Sequence, residues 1–128
     1  FCLSRGLGDV YKRQAIIGLL ASVVLLALGS ARQKSRDAKR LGDVRQIASA
    51  MELYFNDNNS YPTTYASLSP SYIGQMPTFP TPNDSCNTTS YVYTRGTGGA
   101  TYTLRFCISQ DTGGYTSGTR TLSETGIQ

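Results

Sequence analysis

The sequence predicts an α+β fold: one long amino-terminal α-helix, over about residues 15–55, whose carboxyl-terminal half packs on a small antiparallel β-sheet. Three observations lead to this prediction. An apolar run without charge covers residues 15–31, apolar residues then recur at intervals of three and four, and the last third alternates β-forming residues with Gly-rich turns. With 128 residues, the chain is long enough for one domain with a modest core.

The apolar run from Ala15 to Ala31 predicts a membrane-spanning helix. Its 17 residues would extend about 25 Å, slightly less than the ~20 residues that cross a bilayer core. The run is too uniformly apolar to be one face of a surface helix. A cleavable signal peptide fits less well, because the helical pattern continues beyond the run.

The next segment, residues 32–57, predicts an amphipathic continuation of the same helix. Its apolar residues lie at intervals of three and four and therefore form one stripe, which we expect to pack on the sheet. The predicted packing residues are Leu41, Val44, Ile47, Ala48, Met51 and Phe55. The helix should end at the sequence NDNNSYP, because Asn and Asp accept left-handed conformations and Pro62 cannot continue a helix.

Basic residues are concentrated at the start of this amphipathic segment. They are Arg32, Lys34, Arg36, Lys39, Arg40 and Arg45. Only Asp37 and Asp43 offset them, and we predict a solvated or headgroup-facing surface on which Arg40 and Asp43 attract each other. Nucleic-acid binding is less favoured, since no aromatic residues alternate with these charges.

The rest of the chain predicts a Pro-rich loop followed by a small sheet. One helical turn is expected near residues 65–68. Strands at 91–94 and 101–108 should form a hairpin across the Gly-rich sequence RGTGGA, and a further strand is expected near 118–123. Residues 32–128 are thus predicted to form a globular head with an amphipathic helix at 32–57, a loop at 58–90 and a β-region at 91–128.

Cys86 lies before the predicted hairpin and Cys107 lies near its end, and the two are predicted to form a disulfide. A metal site would need more ligands than two cysteines in a chain without His, so we predict no metal and no cofactor. A reactive thiol would need a base or a cationic pocket, and the sequence shows neither. A disulfide closing a loop of this length contributes roughly 3 kcal/mol in the chain-entropy model. Two free, buried cysteines remain the alternative.

The sequence predicts a protein that is not an enzyme. Zero His removes the commonest general base. The tripeptide Asp111-Thr112-Gly113 also occurs in aspartic proteases, which need two such Asp residues, here available only by dimerisation. Polar flanks favour a turn at this position instead. A dimeric aspartic protease acting through Asp111 therefore stays a minor alternative.

One stretch resembles a known family. The sequence AIIGLLASVVLLALGSARQKSRDAKRLGDVRQIASAMELYFNDNNSYP, residues 15–62, is similar to the amino-terminal helix of type IV pilins and type II secretion pseudopilins. The resemblance implies a pilin-like fold and a structural subunit of a pilus or pseudopilus filament. It also implies a helical homo-oligomer, partners in a pilus or secretion assembly machinery, and location in a bacterial inner membrane, then in a periplasmic or extracellular filament.

Within such a filament the apolar run would leave the membrane and pack against copies of itself. The residues predicted to line this membrane and filament helix are Ile16, Ile17, Gly18, Leu19, Leu20, Val23, Val24, Leu26 and Ala27. Gly18 and Ala27 are among the small residues that let backbones approach closely. A plain membrane anchor is one alternative. Another is a membrane-anchored minor pilin with a DNA-binding or adhesive role, which the nine Tyr would suit.

The residues before Ala15 depart from the family pattern. Members carry a short basic leader, a Gly, then Phe and a few apolar residues with one Glu, and a peptidase cuts after the Gly; no such pattern is present here. The sequence DVYKRQ, residues 9–14, is encoded by GATGTGTATAAGAGACAG, which resembles a transposon-end adapter used in sequencing. We therefore expect residues 1–14 to be a translated adapter in place of the leader and cleavage site, or otherwise a disordered leader.

Overall fold

The structure is a computed structural model that describes residues 2–128, with side chains from residue 6 onward. Residue 1 and the side chains of residues 2–5 in the predicted leader lie outside this description. The chain divides into two compact units, the first ending at Arg32 and the second spanning Gln33–Gln128. The elements are one α-helix and four β-strands with two short 3₁₀ turns, which confirms the predicted α+β class.

Helix α1 spans Cys2–Asn58 and confirms the predicted long amino-terminal helix. It begins at Cys2 and not near residue 15, so the helix also includes residues 2–14. The physical reason is local: these residues contain no Pro, and Gly6 and Gly8 lower helix propensity by only about 1 kcal/mol each. Periodicity alone therefore placed the start of the helix too late.

The carboxyl-terminal end of α1 follows the predicted turn chemistry. Asn59 adopts a left-handed conformation, with φ at 53°, and its N–H donates to the Phe55 carbonyl at 2.7 Å. This geometry satisfies a helix carbonyl and turns the chain. Tyr61 then packs its ring between those of Phe55, at 4.7 Å, and Tyr102, at 4.6 Å. The helix end is thereby attached to the sheet.

The β-region forms an antiparallel meander with strand order β1-β2-β3-β4. The strands are β1 at Val92–Arg95, β2 at Tyr102–Ile108, β3 at Gly118–Ser123 and β4 at Gly126–Ile127. The first three match the predicted strands closely, and a 3₁₀ turn at Tyr65–Leu68 matches the predicted helical turn. Strand β4 was not predicted, because two residues are too few to show a periodic pattern.

The core of the second unit lies between α1 and one face of the sheet. Strand β2 contributes the most, since Tyr102, Leu104, Phe106 and Ile108 are all buried. Opposite them lies the stripe of α1. The buried members are Leu41, Val44, Ile47 and Met51, and the half-buried members that pack against the cluster are Ala48 and Phe55.

The turn after β2 requires glycine at Gly113. Its φ is +62°, in the left-handed region, and a Cβ there would lie 2.9 Å from the Leu41 Cδ1 atom. Any larger residue would therefore meet both backbone strain and the buried helix. This close approach explains why the DTG sequence belongs to a tight turn packed on α1.

Shortening a side chain of the buried helix stripe should destabilise the second unit. We expect Ile47→Ala in fragment 33–128 to lower the free energy of unfolding by about 2–5 kcal/mol, because Ile47 is fully buried and the change leaves a cavity. Leu53→Ala is the matched control, since Leu53 on the same helix is 56% exposed. Urea denaturation measures both. Equal losses in the two variants would contradict the placement of the stripe.

Candidate functional site: the apolar segment and the buried charge cluster

The apolar segment, residues 15–31 of α1, is exposed on every side within the chain. All of its residues are classed as exposed, and even the large side chains Val24 and Leu26 are 53% and 78% accessible. A soluble helix would instead bury one face. The whole surface of this segment is therefore available to a lipid environment or to other chains.

The polar groups within the apolar segment are satisfied locally. The Ser22 hydroxyl donates to the backbone carbonyls of Gly18, at 3.1 Å, and Leu19, at 2.8 Å. In a medium without water, such internal bonding removes most of the cost of a hydroxyl. By length and composition this helix could cross a membrane, and it lies near the amino terminus.

In the second unit, the predicted basic surface contains a buried ion pair. Asp37 and Arg40 are both fully buried, and the Arg40 Nη1 atom lies 2.6 Å from Asp37 Oδ1. The guanidinium also stacks over the Phe79 ring, with 4.6 Å between Cζ and the ring centroid. This part of the basic cluster is therefore internal to the fold and not part of its solvated surface.

A second aspartate, Asp84, joins the pair from the loop. Arg36 donates to it through Nε at 2.9 Å and Nη2 at 2.5 Å, and Arg40 Nη2 lies 3.5 Å from it. The hydrogen bonds from Arg36 hold the pKa of Asp84 below its usual range, although its burial acts in the opposite direction. Two arginines of α1 thus hold one carboxylate of the loop.

Asp37 also attaches the end of strand β2 to the helix. Its carboxylate accepts the backbone N–H groups of Ser109, at 2.8 Å, and Gln110, at 2.9 Å, together with the Ser109 hydroxyl at 2.7 Å. A carboxylate with three such donors and one guanidinium is fully compensated despite its burial. We call Arg36, Asp37, Arg40 and Asp84 the buried charge cluster.

The expected attraction between Arg40 and Asp43 is wrong. Arg40 turns inward to Asp37, and Asp43 instead receives Lys39 at 2.8 Å and the Tyr91 hydroxyl at 2.9 Å. Arg40 could reach either Asp37 or Asp43 on the helix surface. Its burial under the loop favours the pair with Asp37. Sequence reasoning missed the buried charge cluster; the one available signal was Asp37, an acid placed among six basic residues.

The two cysteines of the head are joined. Cys86 and Cys107 form a disulfide with a Cα–Cα distance of 5.7 Å, and both residues are buried. The bond connects the loop to strand β2 close to Ser109, whose backbone carbonyl also accepts the Ser85 hydroxyl at 3.2 Å. The disulfide therefore lies beside the buried charge cluster.

The other predicted candidates occupy structural positions. Asp111 is exposed in the turn between β2 and β3, and its carboxylate accepts the Ser117 N–H at 2.7 Å. Most tyrosines belong to the hydrophobic core: Tyr61 and Tyr102 are buried, and most of the others are partly buried and pack against the core cluster. Among the described side chains there is no group of three or more His, Cys, Asp and Glu suited to a metal ion.

The lowered pKa of Asp84 predicts how stability depends on pH. A carboxyl whose pKa is lower in the folded state stabilises the fold above its unfolded pKa of about 4, and this contribution is lost as the pH falls through the folded pKa. We expect the difference in unfolding free energy between fragment 33–128 and its Asp84→Asn variant to shrink below about pH 4. Denaturation at several pH values tests this, and a constant difference would contradict it.

Comparison with known proteins points to secretion-system proteins. The chain is 32% identical over 77 residues to Type II secretion system core protein G of Escherichia coli (strain K12), covering 60% of this chain and 52% of the relative. It is 38% identical over 53 residues to the protein of the same name from Aeromonas hydrophila, covering 41% of this chain and 37% of the relative. A third, from Pectobacterium carotovorum subsp. carotovorum, is 38% identical over 53 residues, covering 41% of this chain and 34% of the relative.

The chain thus spans between about a third and a half of the length of these relatives. No protein-family model matches it, and no solved structure matches it significantly. The fold agrees with the resemblance seen in the helix, because one long amino-terminal helix precedes a small antiparallel sheet. The matches and the fold together support the resemblance of this chain to the type IV pilin and pseudopilin family.

Proposed function

We propose that this protein is a structural subunit of a pseudopilus filament, held in the inner membrane before assembly and polymerised through its apolar segment. The observation that carries the proposal is the complete exposure of residues 15–31 on a helix long enough to cross a bilayer. The similarity to core proteins of type II secretion systems supports the choice of a secretion pseudopilus.

The free energy of burying the apolar segment favours both membrane anchoring before assembly and packing within the filament. Burying an aliphatic side chain such as Leu19, Leu20 or Leu25 stabilises it by roughly 1.5–3 kcal/mol relative to water. Nine large side chains between Ile16 and Leu28 are exposed in the isolated chain, so that segment needs an apolar environment. Lipid provides one before assembly, and the apolar segments of neighbouring subunits provide another in a filament.

The second unit is proposed to form the head that faces the periplasm, and its disulfide suits an oxidising compartment. The partners of this subunit are then other copies of the same chain and an assembly machinery of the secretion type. The proposal includes no catalytic role, and Asp111 serves the turn between β2 and β3, where its carboxylate accepts the Ser117 N–H.

Negative-stain electron microscopy combined with membrane fractionation tests the proposal. The full chain, produced with a type II secretion assembly system, should fractionate with membranes when assembly is blocked and should yield thin filaments when it is active. A chain that remains soluble under both conditions would contradict the anchor. A chain that is retained by membranes but never forms or enters filaments would leave the plain-anchor function in its place.

A further inference from the structure

The loop that covers the buried charge cluster has two separate attachments. We define the cover segment as residues 78–86, which contain no helix or strand. On its inner side, the Thr78 carbonyl accepts Lys39 at 3.1 Å, the Phe79 ring lies over Arg40, and Asp84 receives Arg36. Each of these contacts involves a charged side chain and is therefore lost when that charge is removed.

The second attachment is covalent. Cys86, at the carboxyl-terminal end of the cover segment, is bonded to Cys107 near the carboxyl-terminal end of strand β2. The Ser85 hydroxyl, which donates to the Ser109 carbonyl, lies beside it. The disulfide thus limits how far the segment can move even when its electrostatic contacts break.

The residues beneath the cover segment depend on it for their burial. Arg40 has no exposed surface, and its Nη2 atom faces the carbonyls of Pro80, at 3.5 Å, and Pro82, at 3.4 Å. Its Nε atom is buried without a hydrogen-bond partner among the described residues. Arginine is costly to bury with incomplete bonding, so this guanidinium favours any state in which water reaches it.

We propose that the cover segment is a redox-controlled cover: the Cys86–Cys107 disulfide keeps it closed, and reduction opens it, exposes the guanidinium group of Arg40 and separates Arg36 from Asp84. The proposal is independent of filament assembly. In the closed head, Asp84 pairs with Arg36 and lies near Arg40. In the open head, Arg36 loses this partner and Arg40 keeps only Asp37, which lies on α1.

The chemistry of opening requires a dithiol reductant. One thiolate of the reductant attacks a sulfur of the disulfide, and a mixed disulfide forms as the other protein sulfur leaves. The second thiolate of the reductant then displaces the first cysteine and closes a cyclic disulfide. Two electrons and two protons are transferred in total, which leaves Cys86 and Cys107 as thiols and the reductant oxidised.

Arginine-selective dicarbonyl labelling of the full chain in detergent, mapped by mass spectrometry, tests the proposal. Arg45 is exposed and serves as the internal reference within the same molecule. We expect Arg45 to react and Arg40 to stay protected in the oxidised chain, and dithiol treatment to raise the Arg40 rate by about tenfold or more. The Cys86→Ser/Cys107→Ser variant should show the fast rate without reductant.

Two further measurements separate local opening from other outcomes. Asp84→Asn with the disulfide intact should leave Arg40 protected, because the covalent attachment remains. Amide hydrogen exchange at Leu104 and Phe106 in β2 should stay slow after reduction. The proposal is overturned if Arg40 stays protected once alkylation proves both thiols free, if Asp84→Asn alone exposes it, or if the β2 amides lose protection together with it.

Discussion

A lysine at the centre of the apolar segment should abolish filaments while leaving the head folded. Val23 is the midpoint of residues 15–31 and is 59% exposed in the isolated chain. A charge at the centre of a membrane-spanning helix costs about 2.5–3.5 kcal/mol on insertion scales, and a packed bundle of apolar helices offers it no better solvent. We therefore expect Val23→Lys to lose filaments by electron microscopy and to reduce membrane retention.

Two controls make this prediction specific. Val23→Leu keeps the segment apolar and should assemble normally. Leu53→Lys introduces the same charge at a leucine that is also exposed, at 56%, but lies in the second unit, and it should retain membrane association. Normal filaments from Val23→Lys would show that the segment is not the assembly surface. Filaments lost with full membrane retention would separate assembly from anchoring.

Removing Asp37 should be the most damaging single change in the head. Asp37→Ala leaves the Arg40 guanidinium buried without its closest counter-charge and leaves the Ser109 and Gln110 N–H groups without that acceptor. Breaking a buried ion pair from one side typically costs about 3–5 kcal/mol. We expect a loss of this size in the free energy of unfolding of fragment 33–128, measured by urea denaturation.

Two comparisons show whether the loss comes from the unpaired charge. Adding Arg40→Met to Asp37→Ala removes that charge and should recover part of the stability, because an apolar replacement of a buried pair is often tolerated. Lys39→Gln breaks the ion pair with Asp43, in which the lysine side chain is 51% exposed, and should cost no more than about 1 kcal/mol. A loss for Asp37→Ala no larger than for Lys39→Gln would contradict the importance assigned to burial.

The sequence by itself determined the features that depend on local patterns. The long helix and its stop at Asn59 follow from periodicity and turn chemistry within a few residues, and so do three of the four strands. The stripe from Leu41 to Phe55 is directed to the core because apolar spacing of three and four places side chains on one helix face. The apolar pattern predicted the start of α1 near residue 15, but the helix begins at Cys2 because it also includes residues without strong periodicity.

The buried charge cluster was decided only by the tertiary structure. Arg40 could pair with Asp43 or with Asp37, because both lie three residues away on the same helix. The choice follows from partners distant in the chain, since Asp84 is 44 residues from Arg40 and Ser109 is 72 residues from Asp37. These groups meet only after the sheet and the loop have packed on α1. Burial then removes water as a competing partner, so the arrangement that satisfies the most buried charges and N–H groups is the one adopted.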